Sequence, residues 1–198
     1  MQRMYNSIIQ ILSLLALGGE NRMLIVLLGP SGSGKTTIEK KLEQSGMYRL
    51  RCHTTRPRKV TEPEDAYYFV KKDEFKKVDL VESVLYKNSF FGLSRKEVKM
   101  AENQDCIVTL DWNGAQQIKH RIPFAATVYI DCPLYQLEKR LPVESDNEKR
   151  QKILDQILLD SKCADSCDYI VRNYDGQLDE ACSKILEICR EAKTMSNQ

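Results

Sequence analysis

Two short stretches carry residue types and spacings that could do chemistry. The first is "GPSGSGKT", Gly29 to Thr36, which matches the pattern GxxxxGK[ST]. Its glycines let successive backbone N–H groups curl around phosphate oxygens, and the dipole of a following helix adds to that attraction. Lys35 is suited to neutralise β- and γ-phosphates, and the Thr36 hydroxyl to ligate Mg²⁺. Gly29, Pro30, Ser31, Gly32, Ser33, Gly34, Lys35, Thr36 and Thr37 are therefore candidates for holding a triphosphate. The alternative is a glycine-rich strand–helix turn that binds nothing. The second stretch is "RCHTTRPR", residues 51–58, with Arg51, Arg56, Arg58 and His53 and no acidic residue. It is either a concentrated anion site or a solvated loop.

These stretches need elements to position them. The run "MLIVLL" (23–28) reads as a strand buried on both faces, directly before the phosphate pattern, and "TTIEKKLEQSG" (36–46) as the helix after it. "CIVTL" (106–110), "ATVYI" (126–130) and "YIV" (169–171) read as further short strands. Helical stretches are expected near 113–121, 133–141, 148–163 and 176–192. This alternation predicts an α/β fold with a parallel sheet and helices on both faces. Residues 52–94 break the rhythm. They hold "YYFV" and "VESVLY", read as short antiparallel strands, and the turn-like "KNSFFG", which together suggest an inserted substrate flap. Ser94 and Glu97 have capping-box spacing and restart a helix.

The whole chain bounds the function. With 198 residues, 42% of them hydrophobic, it can bury one good core, so a single domain over 23–198 is expected. A net charge of +2 argues against nucleic acid or a membrane as a bulk partner. Seven cysteines with no CxxC pair suit reduced thiols in the cytoplasm better than a disulfide framework, and a structural zinc site is not expected. Residues 1–22 form an extension with an apolar run. It reads as a faint secretory signal, as a packed amphipathic helix, or as a mis-called start. Gly18-Gly19-Glu20 can encode a ribosome-binding site, which favours Met23 as the start in a bacterial source.

A phosphate-binding loop indicates a nucleoside triphosphate without naming a reaction, since GTPases and ATPases share it. No guanine-specifying NKxD element is present, and the chain is short for a motor. A kinase needs a second, acceptor-phosphate site opposite the first, and the basic flap could supply one. The segments "GPSGSGKTT", "HTTRPR", "DAYYFV", "VESVLYKNSFFGLSR", "LDWNGAQQIK" and "DYIVRN" follow one another in an order and at spacings that resemble the guanylate kinase family. The likeness covers roughly residues 24–190.

That resemblance implies an adenylate-kinase-like P-loop core, a monophosphate-binding flap and a lid near 141–148. It also implies Mg²⁺- and ATP-dependent phosphorylation of GMP, or dGMP, to the diphosphate. By position, it places Arg56 and Arg58 on the acceptor phosphate, with the Tyr67 hydroxyl joining them. Glu82 falls where guanine's N1–H and 2-amino group donate, Asp111 near the metal (through water) and the acceptor, and Asn173 at the adenine edge. Arg95 is a further candidate for the acceptor phosphate. Lys35, Arg56, Arg140 and Arg150 are the implied catalytic cations. The expected partners are nucleotide substrates, and the chain is expected to be a monomer or homodimer.

The chain departs from the family pattern at several points. Cys52 stands in place of a guanine-contacting serine, Phe91 in place of a tyrosine, Leu93 in place of a serine or threonine, and Thr109 in place of an acidic residue. "TTRPR" is one residue short of the usual arginine spacing, and the segment after Arg140-Leu141 is acidic rather than arginine-rich. Each lost hydrogen bond is worth roughly 0.5–1.5 kcal/mol. Two alternatives therefore stand beside GMP phosphorylation: a P-loop kinase for another phosphorylated metabolite, and a catalytically impaired binding domain of this fold.

Overall fold

The computed structural model describes residues 22–60, 62–140 and 147–195, apart from the side chains of residues 147, 149, 150 and 195. The expectations for the 1–22 extension (bar Arg22), for most of the lid and for the Arg150 side chain fall outside the described residues.

Strand β1 (Leu24–Leu28) is buried at every position. It is the middle strand of a five-stranded sheet, β2 (Tyr48–Arg49), β7 (Cys106–Thr109), β1, β8 (Ala125–Asp131) and β9 (Tyr169–Arg172), in which every pairing is parallel. Side chains alternate across a strand, so β1 feeds both faces. Ile25 and Leu27 join Ile38, Leu42, Ile185 and Ile188 on one side, and Leu24, Val26 and Leu28 join Leu50, Val108 and Ile118 on the other. Helices α1 (Lys35–Gln44) and α7 (Leu178–Met195) cover the first face. On α7, Ala181, Cys182, Ile185, Ile188 and Cys189 make the buried stripe. Helix α4 (Trp112–Arg121) covers the second face, with Trp112 partly buried against it as core packing. Asp168 fastens β9 to β8 by accepting from the Thr127 N–H at 2.9 Å and its hydroxyl at 2.7 Å. Helices α5 (Leu134–Arg140) and α6 (Asn147–Ser161) share a small cluster of Cys132, Leu137 and Ile157.

The flap is a separate four-stranded sheet in the order β4 (Tyr68–Phe69), β3 (His53–Thr54), β6 (Ser89–Ser94), β5 (Leu80–Tyr86). β5 pairs antiparallel with β6 through a turn with Lys87 and Asn88 at φ 45° and 63°, so the turn-like stretch is a turn only at its first two residues and is strand from Ser89 on. β4 differs from expectation in pairing parallel to β3. Its partner precedes it by a long loop rather than a hairpin, which leaves the parallel direction open. A short helix α2 (Lys72–Phe75) and the two-residue β2 have no counterpart in the sequence reading, being too short to show a period. Half of the capping box at α3 (Arg95–Val98) forms: Ser94 Oγ accepts from the Glu97 N–H at 3.3 Å. The Glu97 carboxylate turns elsewhere, accepting from the Arg51 N–H at 2.7 Å and the Tyr68 hydroxyl at 2.9 Å, and so ties α3 to the flap. All seven cysteines are free thiols. Among the described residues no helix is long and apolar enough to cross a membrane.

Leu27 sits at the centre of this arrangement with no exposed surface. Leu27→Ala should lower unfolding free energy by about 2–5 kcal/mol in urea titration, and an unchanged midpoint would contradict this account of the core.

Candidate active site

The phosphate pattern lies where β1 ends and α1 begins, at the carboxyl edge of the parallel sheet, the general location of ligand crevices in such folds. Two of its glycines are dictated by space. A Cβ on Gly29 would stand 2.7 Å from the Ile130 carbonyl oxygen, and one on Gly34 only 2.2 Å from Asn173 Nδ2. Both also have positive φ, 134° and 94°, which L side chains rarely adopt. Asn173, just past β9, donates from Nδ2 to the Ser33 carbonyl at 2.7 Å and holds the loop against the neighbouring strand end. Ser33 Oγ is buried without a hydrogen-bond partner. Lys35 Nζ donates to the Gly29 and Pro30 carbonyls at 2.7 and 2.8 Å. Burial pulls its pKa down to about 8, against the opposing charges of Asp160 and Glu39. The lysine therefore remains largely protonated at neutral pH.

A cleft of about 510 Å³ opens beside the loop. Ser31, Gly32, Thr36, Thr37, Arg140 and Asn173 line it, joined by Tyr174 and Leu178. Arg140 enters from the end of α5. It donates to Asp175 Oδ1 from Nε at 3.1 Å and from Nη2 at 2.6 Å, and to the Gly32 carbonyl at 3.4 Å. It thereby braces the loop against the segment after β9.

The flap brings together a second group. Glu82 on β5 is 2% exposed, and its Oε2 is buried without a hydrogen-bond partner. Burial first, and the Asp111 charge second, push its carboxyl up to about 7. A Cβ on Gly114 would come within 2.9 Å of Glu82 Oε2 and 3.3 Å of Asp111 Oδ1, so that glycine lets the start of α4 approach both acids. Asp111 also caps α4, accepting from the Gly114 N–H at 2.7 Å. The surroundings are dry. Leu93 and Cys52 are buried, and burial pushes the Cys52 thiol pKa well up. Phe91 meets the Tyr67 ring edge-on at 5.9 Å. Burial raises the Tyr67 hydroxyl to about 12, so it stays protonated and able to donate. Thr109 Oγ1 is buried, and the carboxylate beside it is that of Glu39.

Arg56 stands 5.5 Å from the Tyr67 ring centre and 5.8 Å from that of Phe69, and grips the Glu62 carboxylate through both terminal nitrogens. Arg58 reaches the Glu62 carbonyl at 2.7 Å from an exposed position. Arg51 lies over Tyr68, apart from this pair. Arg95 is placed differently from expectation. It pairs with Asp79 and lines a separate hollow with His53 and Tyr68, which alternate with Cys52 and Tyr67 along their strands and so face the other way. Sequence reasoning missed Glu62, Glu39 and Asp160. Glu62 lies in a loop read only as basic, Glu39 follows Lys35 by one turn of α1, and Asp160 approaches Lys35 from α6.

The glycine geometry yields a direct test. Gly34→Ala should abolish binding of ATP in calorimetric titration while the far-ultraviolet circular dichroism is retained, because the methyl group collides with Asn173. ATP binding at wild-type affinity would contradict this description of the loop.

Comparison with known proteins agrees with the geometry. The model of the guanylate kinase family matches residues 21–192. Guanylate kinase of Hydrogenovibrio crunogenus is 33% identical over 178 residues, covering 83% of this chain and 85% of that protein. Guanylate kinase of Mycoplasma genitalium is 29% identical, covering 91% and 82% respectively. The crystal structure of guanylate kinase from Anaplasma phagocytophilum superimposes with a TM-score of 0.68 at 19% identity, covering 87% of this chain and 86% of that one, a likeness of fold. A match that spans nearly the whole of the described domain settles the relationship: the chain belongs to the guanylate kinase family.

Proposed function

We propose that this chain transfers the γ-phosphoryl group of ATP to the 5′-phosphate of GMP, giving ADP and GDP. The observation that carries the reading is the Glu82 carboxylate, buried with an unpartnered oxygen and facing the start of α4. A buried acceptor of that kind is costly unless a donor meets it. Guanine offers two adjacent donors, N1–H and the 2-amino group, whereas adenine has no donor at N1.

The remaining residues divide the work by position. The loop amides and Lys35 bind the ATP phosphates, with Lys35 exchanging its carbonyl partners for phosphate oxygens. Arg56 and Arg58, with the Tyr67 hydroxyl, orient the acceptor phosphate, and Asn173 lies at the adenine side. Arg140, already against the loop, adds positive charge beside the transferring group. An acceptor phosphate oxygen attacks the γ-phosphorus as the bond to the β–γ bridging oxygen breaks. That oxygen is already anionic, so no general base is required and His53 is not needed. Thr36 and, through water, Asp111 offer only oxygen donors, a set that suits Mg²⁺ carried largely by nucleotide phosphates. The ion would neutralise charge on the β- and γ-oxygens. Free thiols fit a reducing, cytoplasmic setting.

Cys52, Leu93 and Phe91 favour one second reading, a kinase of this fold whose acceptor is another phosphorylated metabolite in a pocket short of hydroxyls. An assay coupled to ADP release, run with GMP, dGMP, AMP, UMP, CMP and sugar phosphates, separates the two. GMP should be the preferred acceptor, Lys35→Ala should be inactive, and Glu82→Gln should lower kcat/KM for GMP at least tenfold. Turnover confined to a non-guanine acceptor would overturn the proposal.

The raised Glu82 pKa adds a pH dependence. Guanine binds the ionised carboxylate, and with a pKa of about 7 its ionised fraction rises about tenfold from pH 6 to pH 8. KM for GMP should fall correspondingly over that interval. The substrate phosphate titrates near pH 6 and contributes its own smaller slope. In Glu82→Gln only that smaller slope should remain, and identical slopes in the two proteins would contradict the assignment.

A further inference from the structure

Arg56 and Glu62 form a two-point ion pair in the flap's basic stretch, and nothing in the reading above uses the acid. A guanidinium carries five N–H donors: one on Nε and two on each terminal nitrogen. Here Nη1 spends both, on the Pro57 carbonyl at 2.8 Å and on Glu62 Oε2 at 2.9 Å. Nη2 spends one, on Glu62 Oε1 at 2.7 Å. Among the described residues nothing takes the Nε–H or the outer Nη2–H, and these two are parallel and adjacent, which is the other geometry that binds a carboxylate or phosphate as a fork.

Glu62 is itself fixed. Its Oε2 also accepts from the Lys59 N–H at 3.0 Å, and its carbonyl accepts from Arg58 at 2.7 Å. The side chains of Arg56 and Glu62 are 21% and 22% exposed, so the pair is mostly shielded from water. The rings of Tyr67 and Phe69 lie against the guanidinium as well. Arg56 beside it holds the Glu62 carboxyl below the usual range, which keeps the acid charged at neutral pH.

We propose that Glu62 is a positioning residue for the acceptor: it takes the end-on donors of Arg56 and leaves the side-on fork for the acceptor's phosphate. This rests on the reading that Arg56 binds that phosphate. A carboxylate acting as a phosphate mimic would have to be displaced before the acceptor could bind. The donor count favours a backing role instead, because a complete fork is left over.

Steady-state kinetics of Glu62→Ala and Glu62→Gln, with Arg56→Ala as reference, test this in the full chain. Glu62→Ala should raise KM for GMP about tenfold, the loss expected when one charge-assisted contact is no longer held in place. KM for ATP and the unfolding midpoint should stay near wild type. Glu62→Gln, which keeps the shape and one acceptor oxygen, should fall between wild type and Glu62→Ala. A lower KM for GMP in Glu62→Ala would show a competing mimic and overturn the proposal. So would an unchanged KM, or a loss shared equally with ATP and accompanied by a fall in the unfolding midpoint. If Arg56→Ala leaves KM for GMP at the wild-type value, the underlying assignment of Arg56 fails, and the proposal fails with it.

Discussion

Like charges cannot be gathered in a partly buried place unless each has an acceptor of its own. Among the described residues, the cations of the candidate site meet that condition. Lys35 lies on the Gly29 and Pro30 carbonyls, Arg56 on Glu62, and Arg140 on Asp175. Each acceptor belongs to the scaffold immediately around its cation, so charge balance and geometry are set together. The phosphate loop depends on this arrangement most directly, since Arg140 and Asn173 both donate to its carbonyls.

The fold supplies the fixed points. Loop and cleft stand at the carboxyl ends of parallel strands, where β1, β8 and β9 are in continuous register. The flap is a second sheet whose strands present Cys52, Tyr67 and Phe91 on one face and His53 and Tyr68 on the other. Glu82 is joined to the core by the close approach of Gly114, where a side chain larger than hydrogen would press on the carboxylate. One glycine thus links Glu82 to Asp111 and to the helix that Asp111 caps.

Much of this was legible in the sequence because its signals are local. The glycine spacing of the loop, the apolar run before it and the arginines of the flap each occupy a few consecutive residues. The inner strands β1, β7 and β8 are legible in kind because burial on both faces leaves a continuous apolar run, whereas the two-residue edge strand β2 is not. What escaped depends on distance. Glu62 pairs with Arg56 across an irregular loop that has no period. Asp160 comes near Lys35 only when α1 and α6 pack, whereas Glu39 sits one turn along α1 from Lys35, a local i,i+4 spacing that could have been read. Arg95 resembles a phosphate ligand by position, but it starts α3 rather than continuing β6, and there it pairs with Asp79 beside His53 and Tyr68. Glu97 has capping-box spacing, yet a tertiary hydrogen bond to Arg51 N–H outcompetes the local one. The departures at Cys52, Phe91, Leu93 and Thr109 are visible as substitutions, while the burial that raises the Glu82 pKa required the structure.

The central claim is that a buried, unpartnered carboxylate selects the base. It is tested most directly by carbon-13 NMR titration of the Glu82 carboxyl in the full chain, alone and with saturating GMP or AMP. The account predicts a midpoint near the value of about 7 without nucleotide, displaced to lower pH by GMP and left in place by AMP. A midpoint that GMP does not move, or that AMP moves equally, would contradict it.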